Sequence, residues 1–108
     1  MTNIVFYRKN GKIIRYNVSG HTGKASVGED VLCAAISSVV QSTAVGITEI
    51  LKLDPKLNIK DGYLDLQLKE EDVSNQNVQV LLETCLKSLK EIVKNEKKYV
   101  KLEEKNEI

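Results

Sequence analysis

Apolar and polar residues alternate along the N-terminal part of the chain, which is the pattern of β-strands that bury one face. The alternation covers residues 3–9 and residues 12–18. One face of the second segment carries Ile14, Tyr16 and Val18. Asn10-Gly11 separates the two segments, and this dipeptide tolerates the positive φ angles of a tight turn. The pattern therefore predicts an antiparallel hairpin.

Residues 30–52 are apolar on nearly every face of the helix that their spacing predicts. Such a helix is buried on most sides, so we expect it at the centre of the domain. Asp30 is the predicted N-cap, and the helix must end before Pro55. One small sheet and one other helix do not cover this much apolar surface, so we expect a symmetric homodimer.

A second hairpin is predicted in the middle of the chain. Residues 57–60 and 63–68 flank Asp61-Gly62, another turn signal. Leucines alternate with polar residues in the second of these segments, so one face is buried and the other is wet. Asp65 falls on the predicted wet face.

The C-terminal part of the chain predicts one more helix and one more strand. Residues 76–96 carry apolar side chains at i, i+3, i+4 and i+7, and residues 98–103 alternate. Residues 104–108 are expected to fray. The predicted order is β-β-α-β-β-α-β. It indicates a single α+β domain, residues 1–108, with a mostly antiparallel sheet packed with two helices.

Composition and charge exclude several classes of protein. The 108 residues contain sixteen Lys and Arg, fifteen Asp and Glu, and two Cys, which is typical of one small folded domain. Two cysteines do not form the disulfide framework of a small secreted protein, so we expect free thiols in a reducing compartment. The N-terminus lacks the charge order of a signal peptide, and no run of about 18 apolar residues is free of polar interruption. We therefore expect a cytoplasmic protein without a membrane partner.

All fifteen acidic residues follow residue 28, whereas the charged residues before that position are all basic. The basic residues are Arg8, Lys9, Lys12, Arg15 and Lys24. The functional interpretation is a basic edge that faces RNA or an acidic partner. The alternative is a solvated hairpin whose charges protect the edge of a sheet. The sequence leaves both interpretations open.

The chain offers few reactive groups. His21, Cys33 and Cys85 supply at most three metal ligands, and they lack the short paired spacing of structural zinc sites. The glycines of residues 19–28 fit neither a P-loop nor a dinucleotide-binding fingerprint. We therefore expect neither a metal nor a cofactor.

Cys33 and His21 form a pair with the chemistry of a cysteine peptidase. With Asp30 as N-cap, Cys33 is the third helical residue, where unpaired backbone N–H groups and the helix dipole favour a thiolate and an oxyanion. A histidine from the preceding loop completes a thiolate–imidazolium pair. The alternative is that Cys33 is a small core residue. Cys85 lies mid-helix on the apolar face, and we expect it to belong to the core.

The segment before the central helix is rich in glycine and in small hydroxylated residues. Its glycines are Gly20, Gly23 and Gly28. This composition predicts a flexible substrate loop over residues 19–28. Because the loop carries His21, we expect substrate to order it and to bring the base to the thiol. The domain then consists of a His loop, residues 19–29, a nucleophile helix, residues 30–52, and the supporting sheet.

The residues around this pair resemble a known protein family. Similarity to the Prp family of bacterial ribosomal-processing cysteine proteases is carried by Ser19-Gly20-His21 and by Gly28-Glu29-Asp30-Val31-Leu32-Cys33-Ala34-Ala35-Ile36-Ser37. The family motif runs Gly-His-Ala, a variable loop, and then Gly-x-Asp-φ-φ-Cys-Ala-Ala-φ-Ser, where φ is apolar. Length and element order extend the resemblance over essentially the whole chain. Thr22 departs from the motif, where alanine is usual.

The resemblance implies a dimeric α+β peptidase in which Cys33 is the nucleophile and His21 the general base. Asp30 matches the family aspartate and is interpreted as a helix cap and as a group that orients the histidine. Ser37 lies one turn after Cys33 and is interpreted as a hydrogen-bond partner near the thiol or of its own helix. The implied substrate is a bacterial large-subunit ribosomal protein, number twenty-seven, whose N-terminal extension the peptidase removes.

The competing class of function is a non-enzymatic binding module that associates with the ribosome. A small α+β dimer with a basic hairpin suits docking on ribosomal RNA. RNA binding usually needs aromatic platforms beside the basic residues, and Tyr7 and Tyr16 are the candidates. The same two tyrosines are equally suited to a core. An enzyme is expected to have one fast-reacting cysteine, which a binding module does not need.

Overall fold

The computed structural model describes residues 1–20 and 27–107, with residues 27–30 described as backbone only. Its elements are β1 Thr2–Lys9, β2 Lys12–Ser19, α1 Val27–Val45, β3 Lys56–Lys60, β4 Tyr63–Gln67, α2 Gln76–Val93 and β5 Val100–Asn106. A π-helical turn, Gly46–Ile50, extends α1, and a 3₁₀ turn, Glu70–Asp72, precedes α2. The predicted β-β-α-β-β-α-β order is confirmed.

The five strands form one sheet in the order β3-β4-β2-β1-β5. Three of the pairings are antiparallel, and β1 with β5 is parallel, so the sheet is mixed but mostly antiparallel. The buried apolar residues of the strands share one face, and the two helices cover it. The core between sheet and helices includes Ile4, Phe6, Tyr16, Leu66, Leu82, Leu86 and Leu89.

A β-bulge changes which isoleucine of the first hairpin reaches the core. Tyr7 pairs with Arg15, but Arg8 pairs with Ile13, so Ile14 is the extra residue. A bulge reverses the inward and outward alternation beyond it. Ile13 is therefore fully buried and Ile14 is only half-buried, which corrects the predicted alternation of Ile14 with Tyr16.

The carboxylate of Asp65 is buried rather than wet, contrary to the sequence prediction. Strand β4 lies inside the sheet between β3 and β2, so neighbouring side chains cover Asp65 on the face away from the helices. Arg15 Nε donates to Asp65 Oδ1 at 2.8 Å, and Asn17 Nδ2 donates to the same oxygen at 3.0 Å. These partners compensate the desolvation of the carboxylate.

Residues 104–106 extend the sheet instead of fraying, whereas Ile108 lies outside the described residues. β5 continues to Asn106, and Phe6 of β1 pairs with Glu104 in parallel register. Arg8 secures this end: its guanidinium donates to Glu83 of α2 at 2.7 and 2.8 Å and to Glu104 at 2.9 Å. The prediction of a frayed tail missed a pairing between residues nearly a chain length apart.

The Arg8 network makes stability depend on pH. Arg8 lowers the pKa of Glu83, and Lys90 together with Arg8 lowers the pKa of Glu104. A lowered folded-state pKa stabilises the protein above the ordinary glutamate range, and this contribution is lost as pH falls below about 4. We expect Arg8→Met to lower the free energy of unfolding by about 1 kcal/mol at pH 7, since the carboxylates are partly exposed. At pH 3 the difference should shrink.

Urea unfolding at both pH values measures this effect. Lys9→Met, at an exposed position on the same strand, is the control and should change stability little at either pH. An equal loss for Arg8→Met at pH 7 and pH 3 would show that contacts that do not titrate, such as donation by Arg8 Nη1 to the carbonyl oxygen of Gly11 at 3.0 Å, matter more than the ion pairs.

Helix α1 combines one buried side with one exposed apolar side. Its buried side packs on the sheet, where Tyr16 Oη donates to the carbonyl oxygen of Val40 at 2.9 Å. An 18-residue window within Val31–Ile50 has a mean hydropathy of 1.7, and 33% of that window is buried. By length and composition alone this segment is apolar enough to cross a membrane, as the core helix of a folded domain can be. The segment contains polar residues such as Ser37, Gln41 and Glu49, so it is not an uninterrupted apolar run, and the expectation that the protein has no membrane partner remains a prediction.

Candidate functional site

Helix α1 places Cys33 deeper in the helix than the sequence suggested. The helix begins at Val27, so Asp30 lies within its first turn and not at its N-cap, and Cys33 is the seventh helical residue. That position is about 9 Å along the axis from the first residue. Because the effect of the helix dipole falls off within the first turn, the predicted activation of Cys33 by the helix terminus loses its basis.

Cys33 opens into a cavity between α1 and the β3–β4 hairpin. The cavity has a volume of about 290 Å³. Its apolar lining comes from both layers of the fold: Val18, Ile36, Val40, Ile59 and Leu64. Cys33 is half-exposed here and unpaired by any disulfide. The site therefore joins an accessible thiol to an apolar recess that is large enough for a bulky side chain.

Three polar side chains follow one another along the cavity side of α1. Cys33, Ser37 and Gln41 are spaced four residues apart, and all three line the cavity. Gln41 Nε2 donates to Ser37 Oγ at 2.7 Å, so Ser37 is held by the next turn of the helix. Gln41 was not identified from the sequence, although its i, i+4, i+8 relation to Cys33 is the signal that marks it.

Gly20 fixes the point at which the chain leaves β2. Its φ angle is +88°, and its N–H donates to the carbonyl oxygen of Gly62 at 2.9 Å. A Cβ atom at this position would lie 2.5 Å from the carbonyl oxygen of Met1. Gly20 lines the same cavity as Cys33. It is therefore an anchored residue at the cavity rim, which corrects its assignment to the flexible substrate loop.

The remaining loop predictions divide between the described and the undescribed parts of the chain. Gly28 is the second residue of α1 rather than a loop residue. His21 and Gly23 lie outside the described residues, and so does the side chain of Asp30. The predictions about the dyad and about ordering of the loop by substrate therefore remain predictions.

The two cysteines differ in environment, and this difference can be measured. Cys85 is buried, and burial raises the pKa of its thiol to about 11. We expect iodoacetamide to label Cys33 near neutral pH and to spare Cys85 until the protein unfolds, because the thiolate is the nucleophile. If His21 activates the thiol, His21→Ala should slow the labelling of Cys33. Peptide mass mapping gives both rates, and equal rates would argue that neither thiol is activated.

Comparison with known sequences supports a peptidase. The profile of the family described as "Cysteine protease Prp" matches residues 1–101. The ribosomal processing cysteine protease Prp of Staphylococcus aureus is 28% identical over 82 residues, which cover 76% of this chain and 77% of the relative. The corresponding protease of Bacillus subtilis is 27% identical over 89 residues, covering 79% and 80%.

Solved structures share the fold. SMU.848 from Streptococcus mutans superposes with a TM-score of 0.89 at 22% identity and covers 99% of both chains. An essential ribosomal processing protease Prp from S. aureus, in complex with a substrate peptide, superposes with a TM-score of 0.87 at 23% identity. That superposition covers 97% of this chain and 100% of the other. At this identity the structures establish the same architecture.

Proposed function

Because this chain belongs to the family of the cysteine protease Prp, we propose that it removes the N-terminal extension of large-subunit ribosomal protein number twenty-seven. The chain is a cysteine peptidase. The relatives from S. aureus and B. subtilis are named for ribosomal processing, which supports a ribosomal substrate. Ribosomal proteins are made in the cytoplasm, and we place the activity there.

The observation that carries the proposal is the position of Cys33 at an apolar cavity. A peptidase must hold the peptide beside its nucleophile, and apolar clefts with a few polar groups are the usual binding sites for such ligands. The cavity offers an apolar recess next to the thiol and a short polar row, Ser37 and Gln41, along one side. We therefore expect a bulky apolar side chain of the substrate close to the scissile bond.

The proposed reaction uses Cys33 and His21 as a pair. His21 takes the thiol proton while Cys33 Sγ attacks the scissile carbonyl carbon, and the same imidazolium then protonates the leaving amine. Water hydrolyses the resulting thioester, with His21 again as base, and releases the carboxylate product. Gly20 directly precedes His21 and lines the cavity with Cys33, which supports this pairing. Asp30 is proposed to orient the imidazole.

Two arguments for the alternative function, a non-enzymatic module that binds RNA, no longer hold. Arg8 and Arg15 of the basic hairpin are held in ion pairs with carboxylates at 2.7 to 2.9 Å. Tyr16 is fully buried, stacked on Phe6 with ring centroids 5.5 Å apart, so it offers no platform to a base. A phosphate backbone would have to compete with existing partners for the guanidinium groups.

The direct test is incubation of the purified protein with the precursor of the ribosomal protein from the same genome, read by intact mass. We expect the precursor to lose its N-terminal extension as a single fragment. An unchanged precursor mass, at enzyme and substrate concentrations where the protein is folded, would contradict the proposed substrate.

We also propose that the chain forms a symmetric homodimer through α1. The exposed side of this helix carries residues at heptad-like spacing: Val31, Ala34, Ser38, Ser42 and Val45. Val31 is 66% exposed, Val45 is 53% exposed, and Ile50, in the π-helical turn that extends α1, is 74% exposed. A second copy of the same helix can cover this stripe with the same residues, because isologous interfaces, in which both subunits use the same surface, are the commonest kind.

Sedimentation at micromolar concentration should give the mass of a dimer. Val45→Glu places a charge in the proposed seam and should give a monomer with unchanged secondary structure. Lys87→Glu, on the exposed side of α2, is the control and should stay dimeric. A monomeric mass for the unsubstituted protein would rule out the dimer.

A further inference from the structure

The two edges of the sheet differ in how they are protected. The β5 edge carries alternating charges at Lys101, Glu103 and Lys105, and charged residues on an edge discourage pairing with another chain. The β3 edge is exposed at every residue. Leu57 and Ile59 of this strand lie on the same face of the sheet as the buried Leu64 and Leu66. The helices do not cover them fully, since Leu57 is 37% exposed and Ile59 is 55% exposed. An open edge with uncovered apolar side chains is a template for another strand.

The hydrogen-bond pattern shows which backbone groups of β3 have no partner among the described residues. Leu68, just after β4, donates to Ile14 at 2.9 Å, so even-numbered residues of the β4 segment point their backbone groups toward β2. Odd-numbered residues of β4 therefore point toward β3 and bond its even-numbered residues, which lie opposite them. It follows that Leu57 and Ile59 direct both N–H and C=O to the open edge.

This edge leads directly to the nucleophile. Ile59 and Lys60 at the end of β3, and Asp61 in the turn, line the cavity that contains Cys33. We propose that the peptide substrate adds to β3 as a sixth strand, pairing its backbone with Leu57 and Ile59 and running into the cavity at Cys33. This inference rests on the proposed function. It adds where the peptide lies and what holds it.

Strand addition predicts which pattern of apolar and polar side chains the bound peptide carries. Side chains of an added strand alternate between the two faces of the sheet. On one face they meet Leu57 and Ile59, and on the other they meet Lys56, Asn58 and Lys60. The preferred extension therefore has apolar residues at alternate positions, with polar or acidic residues between them. Backbone hydrogen bonds supply affinity that does not depend on side-chain identity.

A backbone test separates strand addition from recognition by side chains alone. The probe is a synthetic peptide that spans the cleavage site of the ribosomal precursor, with one N-methyl amino acid placed at successive positions. At alternate positions the methyl group removes a hydrogen bond to β3, and cleavage should fall about fivefold to tenfold there. At the positions between them cleavage should change little. Uniform effects along the peptide would overturn strand addition while leaving the proteolytic function intact.

A second experiment measures whether the peptide protects the backbone of β3. The Cys33→Ala protein is mixed with the unmodified peptide, and amide hydrogen exchange should slow at Leu57 and Ile59 with no comparable change on β5. Ile59→Glu should weaken binding of the peptide at least about fivefold, whereas Lys101→Glu, which also places a glutamate on an edge strand, should not. Cleavage of the peptide by the unsubstituted protein, without protection of β3 in Cys33→Ala, would refute strand addition alone. A peptide that is neither bound nor cleaved would refute the substrate as well.

Discussion

Replacing Cys33 with alanine should abolish cleavage of the ribosomal precursor. The proposed mechanism has no other nucleophile, and removal of a catalytic nucleophile typically costs a factor of about a thousand or more. The fold should be retained, since Cys33 is half-exposed and its side chain is close in size to alanine. Intact mass of the precursor over time, together with the urea midpoint of the variant, measures both effects. Cleavage at the normal rate would exclude Cys33 as the nucleophile.

Cys85→Ala is the matched control for the chemistry. Cys85 is buried within the core cluster beside Leu82 and Leu86, so its loss removes packing and not reactivity. We expect a fall in the free energy of unfolding of about 1 kcal/mol, with cleavage unchanged. Loss of cleavage in this variant, without loss of fold, would show that the mechanism assigns the thiols to the wrong roles.

Gly20→Ala is expected to reduce cleavage by at least about tenfold and stability by about 1–3 kcal/mol. The φ angle of Gly20 is strained for any other residue, and the new Cβ would clash with the carbonyl oxygen of Met1 at 2.5 Å. The chain must then leave β2 along a different path. Since Gly20 directly precedes His21, the proposed base would be displaced from Cys33. Cleavage assays and urea unfolding measure the two losses separately.

Gly11→Ala controls for backbone strain. Gly11 has a nearly equal φ angle of +82°, but none of the residues that the structure describes lies within 4 Å of its added Cβ. It belongs to the turn of the first hairpin and not to the lining of the cavity. This variant should lose stability through strain alone and keep its cleavage rate. If both glycine variants lost cleavage in proportion to stability, Gly20 would have no positioning role.

The position of Cys33 in α1 determines which group can activate its thiol. As the third residue of a helix it would gain from the helix terminus, but as the seventh it lies beyond the reach of that effect. The thiolate then depends on the proposed partner His21. For this reason the labelling rate of Cys33 in His21→Ala is the most direct measure of how the nucleophile is activated.

The sequence by itself determined the elements whose signals are local. Asn10 and Gly11 adopt the positive φ angles that the first turn required. The 3.6-residue period of α2 and the alternating leucines of β4 predicted their buried faces because each depends only on nearby spacing. The motif around Cys33 identified the family, since the same short segment carries the candidate reactive residues.

Only the tertiary structure decided features that depend on distant neighbours. The bulge that buries Ile13, the burial of Asp65 and the parallel pairing of β5 with β1 each arise from strands that meet across the sheet. The cavity at Cys33 is completed by Ile59 from the second hairpin. Periodicity records which face of an element is apolar, but not which element covers it. Long-range packing decides that, and so it decided which residues line the cavity at Cys33.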